Sequence, residues 1–301
     1  MRIPWVLKTL APACALVLFA AACATRGEPR LAQSFDGVSI EYEVAGEGEV
    51  TVLLVHGWSG DRSYWRKQIS ALSGHYRVAA LDLAGHGASG FQRSKWTIKN
   101  YAKDVIAVAD ALAARNIVLV GHSMGGPVAL EAARRLKDRV AGVIGVDTFK
   151  QAGERPTREE AREFWKPLRD DFSAQVLKIT PGLFFISSSP PDLVQAVSRD
   201  LASAPPRVAV PSGMSLSRYD SKRGLRRVRN LPVTLINSTY QPTDMKALSG
   251  VHPRVRLLTM DGVGHFVMLE APERFNTLLR TQINAMVKPE KPPAVEEVAG
   301  E

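Results

Sequence analysis

Short apolar runs recur along the chain, separated by stretches with helical spacing. The runs fall at residues 50–55, 78–83, 117–120, 140–146, 233–236 and 255–260, and are rich in Val, Ile and Leu. Such runs predict strands buried on both faces of a parallel sheet. Residues 63–72, 97–115 and 124–137 show the three-to-four residue period of helices, and 272–287 predicts a closing helix. Residues 38–44 instead alternate apolar and polar side chains, which predicts a half-buried edge strand. Strand and helix in alternation predict an α/β fold: a mostly parallel central sheet with helices on both faces.

One interval breaks the alternation. Residues 148–230 contain no clear buried strand. They hold amphipathic pieces instead, one opened by the capping-box pattern Thr157-Arg-Glu-Glu160 and another at 192–202, with Pro190-Pro191, Pro205-Pro206 and Pro211 as punctuation. This reads as a helical cap over the sheet end where such folds bind ligands. The core is then split into 34–147 and 231–287, and the Pro- and Glu-rich residues 288–301 read as a disordered tail.

Composition narrows the classes. With 45% hydrophobic and 23% charged residues over 301 positions, collagen-like and disordered chains are excluded. Only two cysteines are present, Cys14 and Cys23, so the folded part has neither an internal disulfide nor a cysteine metal site. Arg2 and Lys8 precede an apolar run ending Phe19-Ala-Ala-Ala-Cys23, so residues 1–22 predict a secretory signal peptide. The end of that run resembles a bacterial lipobox, although Ala20 replaces its usual Leu. Lipidation of Cys23 is favoured over cleavage at an A-x-A site that leaves a stray thiol. Residues 23–33 would then be a tether, and the protein an exported, membrane-anchored lipoprotein of the cell envelope. Net charge is +9, or +7 without the leader. The densest basic cluster, Lys222 to Arg229, has no interleaved aromatics and reads as a solvated face, not as a nucleic-acid site.

The chemistry is carried by Gly121-His-Ser-Met-Gly125, which follows one expected strand and opens one expected helix. In that context G-x-S-x-G is a nucleophile elbow, with Ser123 at a sharp turn and at the positive end of a helix. A serine hydroxyl needs a base to take its proton. His56, His86 and His122 lie in or beside turns suited to packing roles, whereas His75 and His252 fall in polar connections and read as exposed. His265, in Asp261-Gly-Val-Gly-His-Phe266 just past the last strand, follows the serine in chain order as this elbow requires. The backbone N–H groups of Met124 and Trp58 are the expected oxyanion donors, Trp58 from His56-Gly-Trp58-Ser-Gly60. The Trp58 side chain reads equally as an acyl-pocket wall or as packing. No metal or organic cofactor is implied.

His56-Gly57-Trp58, Asp82-Leu-Ala-Gly85-His-Gly87-Ala-Ser89, Gly121-His-Ser-Met-Gly-Gly126 and Gly262-Val-Gly-His265 run in one order over about 210 residues. In this the chain resembles the α/β-hydrolase superfamily, with the insertion where a cap is expected. The resemblance implies a serine hydrolase acting on a small-molecule carboxylic ester or related acyl compound. It also implies a structural role for the Asp82 and His86 turn. In most relatives the triad acid follows the next-to-last strand, and here Gln241 stands in that place. Glutamine can hold an imidazole but cannot stabilise an imidazolium. The family's minority placement, after the preceding strand, falls on Asp147, and Asp244 is the fallback. Phe164, Trp165, Phe184 and Phe185, with Phe172 and Met214, are the expected substrate-facing cap residues, or else the cap's own small core. Carbon–carbon hydrolase, acyltransferase and haloperoxidase-like chemistry remain alternatives on the same scaffold, as does a non-catalytic binding module.

Overall fold

A computed structural model describes residues 29–151 and 155–287. The expected leader, Cys23 and the tail at 288–301 lie outside the described residues. Eight strands, β1 (Arg30–Gln33), β2 (Ser39–Ala45), β3 (Thr51–Val55), β4 (Arg77–Leu81), β5 (Ile117–His122), β6 (Val140–Val146), β7 (Val233–Ser238) and β8 (Val255–Met260), form one sheet. Their order is β1-β2-β4-β3-β5-β6-β7-β8. β1–β2 and β2–β4 pair antiparallel, and every other pair is parallel. Each parallel crossover needs a covering element, so helices lie on both faces.

The strand interiors alternate between two apolar layers. Leu53, Val55 and Leu119 point toward α2 (Ile98–Ala111) and α3 (Gly125–Leu136). Val52, Leu54, Val118 and Val120 point the other way, toward α1 (Arg66–Leu72) and the closing helix Pro272–Val287. Both faces of the central strands are therefore buried, which is why their sequences are continuous in apolar residues. Each fully buried Val or Leu contributes about 1.5–3 kcal/mol relative to exposure.

Three local expectations change. Residues 38–44 read as an edge, yet β2 lies between β1 and β4. The outer strand there is β1, so Arg30–Gln33 belongs to the sheet and not to the tether expected at 23–33. At the opposite edge β8 is only partly buried, with Arg256 and Thr259 exposed and Val255, Leu257 and Leu258 half-buried.

Between β6 and β7 the chain builds the cap from α4 (Arg158–Asp170), α5 (Phe172–Phe184), α6 (Pro191–Ser203), α7 (Pro206–Ser217) and α8 (Ser221–Arg226). The capping box opens α4: the Glu160 N–H donates to Thr157 Oγ1, and the Thr157 N–H donates to Glu160 Oε2. Pro191 and Pro206 occupy first helical positions, where a missing N–H costs nothing. Pro211, read as punctuation, lies inside α7. After β7 come α9 (Met245–Ser249), then β8, α10 (Val267–Glu270) and α11 (Pro272–Val287).

Candidate active site

The register aligns the C-terminal ends of the parallel strands. Val55 pairs with Gly121, Gly121 with Gly145, and Val146 with Ile236. The loops that follow β3, β5, β6 and β8 therefore open on one edge of the sheet, and carry Trp58, Ser123, Asp147 and His265 respectively.

Ser123 has φ +51°, in the left-handed region that a non-glycine residue occupies only under constraint. The constraint is tight packing of the turn. A Cβ at Gly121 would lie 2.2 Å from the Gly125 carbonyl oxygen, and one at Gly125 would lie 2.4 Å from the Val55 carbonyl oxygen. Only glycine at both positions lets β5 turn so sharply into α3.

Asp147, at the end of β6, also has positive φ (+45°) and is 4% exposed. Its Oδ2 accepts a 2.6 Å hydrogen bond from His265 Nδ1. Its Oδ1 accepts from the Ser238 N–H at 2.7 Å and pairs with Lys150 Nζ at 2.9 Å. Burial opposes ionisation of this carboxyl. The His265 hydrogen bond and the charges of His265 and Lys150 outweigh it and hold Asp147 below the ordinary carboxylate range. Asn237, buried at the end of β7, fixes the same turn by accepting from the Thr148 N–H and donating to the Thr148 carbonyl. Asp244, the fallback acid, is exposed and caps α9 through the Ala247 N–H at 2.9 Å. Gln241 is exposed beyond β7.

The His265 imidazole stands between two rings. His122 packs on one side at 4.6 Å between centroids, and Phe184 stacks on it at 4.8 Å with 19° between planes. The His265 N–H donates to the Phe184 carbonyl at 2.7 Å, and Glu270 accepts from the Gly264 N–H and from Ser189 Oγ. These bonds join the histidine loop to the cap. His122 Nε2 donates to the His265 carbonyl at 3.1 Å, and burial followed by the His265 charge pushes its pKa down to about 3. His122 is therefore a neutral packing residue. Ser123, next in the chain, is thereby a neighbour of His265. Among the described residues no hydrogen bond closes between Ser123 Oγ and His265, a bond that commonly tightens only with substrate.

The loop that carries Trp58, an expected oxyanion donor, is seated against the elbow. A Cβ at Gly57 would lie 2.8 Å from His122 Nδ1 and 3.3 Å from Ser123 Cβ, so this backbone passes directly over the turn. Among the described residues neither the Trp58 N–H nor the Met124 N–H donates to a protein acceptor. The Trp58 indole does not stand free as a pocket wall. Its Nε1 donates to the Ala209 carbonyl of α7 at 2.7 Å, and its ring meets Trp165 and Phe172 edge-on at 5.8 and 5.7 Å.

The other expected site residues divide. Phe184 faces His265, whereas Phe185 is buried against Phe266. Trp165 and Phe172 are buried in the contact with Trp58, so packing is the better description of both. Phe164 is 52% exposed and meets the Trp165 ring edge-on at 5.2 Å. His56 accepts from the Leu83 N–H, and Asp82 holds Arg62 and the Ala88 N–H, so this turn is structural. His252, expected at the surface, is buried and bonds the Val228 carbonyl. Among the described residues no group of three or more His, Cys, Asp or Glu side chains is arranged to hold a metal ion.

The family model described as "Alpha/beta hydrolase family" matches residues 52–278, most of the chain. This chain belongs to the alpha/beta hydrolase family. Among solved structures, a thermophilic esterase from Thermogutta terrifontis shares 26% identity with this hydrolase at a TM-score of 0.76, covering 87% of this chain and 100% of that one. A curated relative, 3-oxoadipate enol-lactonase 2 of Acinetobacter baylyi, is 27% identical over 251 residues, 79% of this chain and 91% of its own. The dihydrolipoyllysine-residue acetyltransferase component of the acetoin cleaving system from Pseudomonas putida is 26% identical over 257 residues, 78% of this chain. The match spans 64% of that relative's length.

Sequence reasoning missed Lys150, Asn237 and Glu270. A signal was present for Asn237, a polar residue closing the apolar run 233–236. Lys150 and Glu270 lie close in sequence to Asp147 and Gly264 but form no recognisable motif with them, and their other partners, Ser238 and Ser189, are brought in by the fold.

Proposed function

We propose that this hydrolase cleaves carboxylic esters or lactones through Ser123, His265 and Asp147. One observation carries the reading: Asp147 Oδ2 lies 2.6 Å from His265 Nδ1, whereas Gln241 and Asp244, after β7, are both exposed. An Nδ1–H donated to Asp147 leaves the Nε2 lone pair free to act as base toward Ser123.

Ser123 Oγ forms a bond to the substrate carbonyl carbon as its proton passes to His265 Nε2. The carbonyl π electrons move to oxygen, and that oxyanion is held by the N–H groups of Trp58 and Met124. Each such donor is typically worth about 10²–10³ in rate. The tetrahedral intermediate collapses, the C–O bond to the alcohol breaks, and the His265 proton goes to the leaving oxygen. Water then repeats the sequence on the acyl-enzyme and restores Ser123. Asp147 stays ionised throughout, held by Ser238 and Lys150 on the oxygen that does not face His265.

The esterase and enol-lactonase relatives support the ester and lactone class, since both open an acyl–oxygen bond. The proposal extends to export of the chain and to lipidation at Cys23. Loss of labelled-palmitate incorporation in Cys23→Ser tests lipidation, and unchanged incorporation would reject it. Substrate class is tested by a screen of p-nitrophenyl esters of graded acyl length together with γ-lactones. Turnover of at least one series, abolished in Ser123→Ala, is expected; no turnover of any would reject the reading.

A further inference from the structure

Away from Ser123 a cavity of about 680 Å³ opens between α7 and α8 of the cap and α2 and α3 of the core. None of Trp58, Ser123, Met124, Asp147 and His265 lines it. Along the sequence its basic residues come from three separate segments: Lys95 and Lys99 lie at the start of α2, Arg155 opens the cap, and Arg218, Arg223 and Arg227 lie around α8, the last two in the basic cluster Lys222 to Arg229. The fold gathers all six around one space.

Two carboxylates share that lining, and both are already engaged. Glu131, 2% exposed, takes the Tyr219 hydroxyl at 3.3 Å and Arg227 at 3.7 Å on Oε1, and Arg134 at 3.4 Å on Oε2. Asp220 accepts the Arg223 N–H at 2.9 Å and pairs with Arg155 at 3.3 Å. Lys95, Lys99, Arg218 and Arg223 are left with no carboxylate partner for their side chains among the described residues. Like charges gathered on a concave wall raise the local potential, and a bound anion relieves it.

The floor is preorganised. Ser215 Oγ accepts the Ile98 N–H at 3.1 Å and so ties α7 to the first turn of α2, beside the buried Trp96. Two forked guanidiniums and two ammonium groups suit a tetrahedral oxyanion of more than one charge better than a single carboxylate. We infer that this cleft is a binding site for a phosphate-bearing ligand, separate from the ester-cleaving centre. A free phosphate compound and a phospholipid headgroup offer the same chemistry, and the test separates them.

The experiment titrates the protein with inorganic pyrophosphate by calorimetry, in parallel with flotation on phosphatidylglycerol and phosphatidylcholine vesicles. Wild type is compared with Arg218→Ala/Arg223→Ala and Lys95→Ala/Lys99→Ala. An unchanged circular dichroism spectrum and urea-unfolding midpoint certify that each variant is folded. Saturable binding of one pyrophosphate, weakened about tenfold or more in both variants, supports a soluble phosphate ligand. Flotation with phosphatidylglycerol alone, lost in both variants, supports a headgroup. Absence of both signals, or either signal persisting unchanged in both variants, overturns the inference.

Discussion

Replacing Asp147 by Asn tests the acid assignment through hydrogen-bond logic. One oxygen of Asp147 faces two donors, the Ser238 N–H at 2.7 Å and Lys150 Nζ at 2.9 Å; the other faces His265 Nδ1 at 2.6 Å. In the asparagine variant the amide oxygen must turn toward Ser238 and Lys150, since the NH₂ group would meet only donors there. The NH₂ group is then left facing His265, so Nδ1 becomes an acceptor and the ring proton moves to Nε2. That tautomer cannot take the Ser123 proton. In serine enzymes the same change costs about 10⁴ in kcat, or about 5.4 kcal/mol at 1.36 kcal/mol per decade. Asp244→Asn exchanges one good helix cap for another and should change kcat less than about twofold. Steady-state hydrolysis of a p-nitrophenyl ester by both variants checks this. If Asp147→Asn keeps more than about a tenth of wild-type kcat, or if Asp244→Asn falls comparably, the tautomer argument fails.

Gly57→Ala places a methyl group 2.8 Å from His122 Nδ1 and displaces the Trp58 N–H, so kcat should fall about 10²-fold with secondary structure retained by circular dichroism. Trp58→Phe keeps the backbone donor but loses the 2.7 Å bond to Ala209, whose carbonyl still accepts from Ser212 Oγ. Stability in urea should drop by about 1 kcal/mol, and kcat should fall more than KM rises. Asp147 also links stability to pH. Its folded-state pKa is lowered, so the unfolded chain binds more protons, and the stabilisation is present above the unfolded value of about 3.9. Urea unfolding at pH 7, 4 and 3 should show the gap between wild type and Asp147→Asn closing as pH falls through and below about 4; a gap independent of pH would contradict the assigned cause.

Much of this molecule is legible in local pattern. Strands buried on two faces are predominantly apolar, so β3 to β7 are visible in the sequence, and half-buried β8 is visible as a weaker run of the same kind. The elbow is visible because its glycines are forced by close backbone contacts, Gly121 within the turn and Gly125 against the end of β3. Asp147 is visible by contrast, as a charged residue closing an apolar strand. What stays hidden depends on partners distant in sequence. β1 is short and becomes a strand only by pairing with β2. His252 is buried because Val228 and the surrounding chain close over it. The Trp58 indole reads equally well as pocket wall or packing until α7 presents the Ala209 carbonyl, 151 positions away. The basic cleft is the same kind of feature, since its lysines and arginines meet only when cap and core are joined.

The most direct test of the account is reaction of the protein with a fluorophosphonate, followed by intact-mass measurement and peptide mapping. A single adduct on Ser123, absent in Ser123→Ala and strongly slowed in His265→Ala and Asp147→Asn, is the expected result. An unlabelled Ser123 in folded protein, or ester hydrolysis that persists in Ser123→Ala, would contradict it.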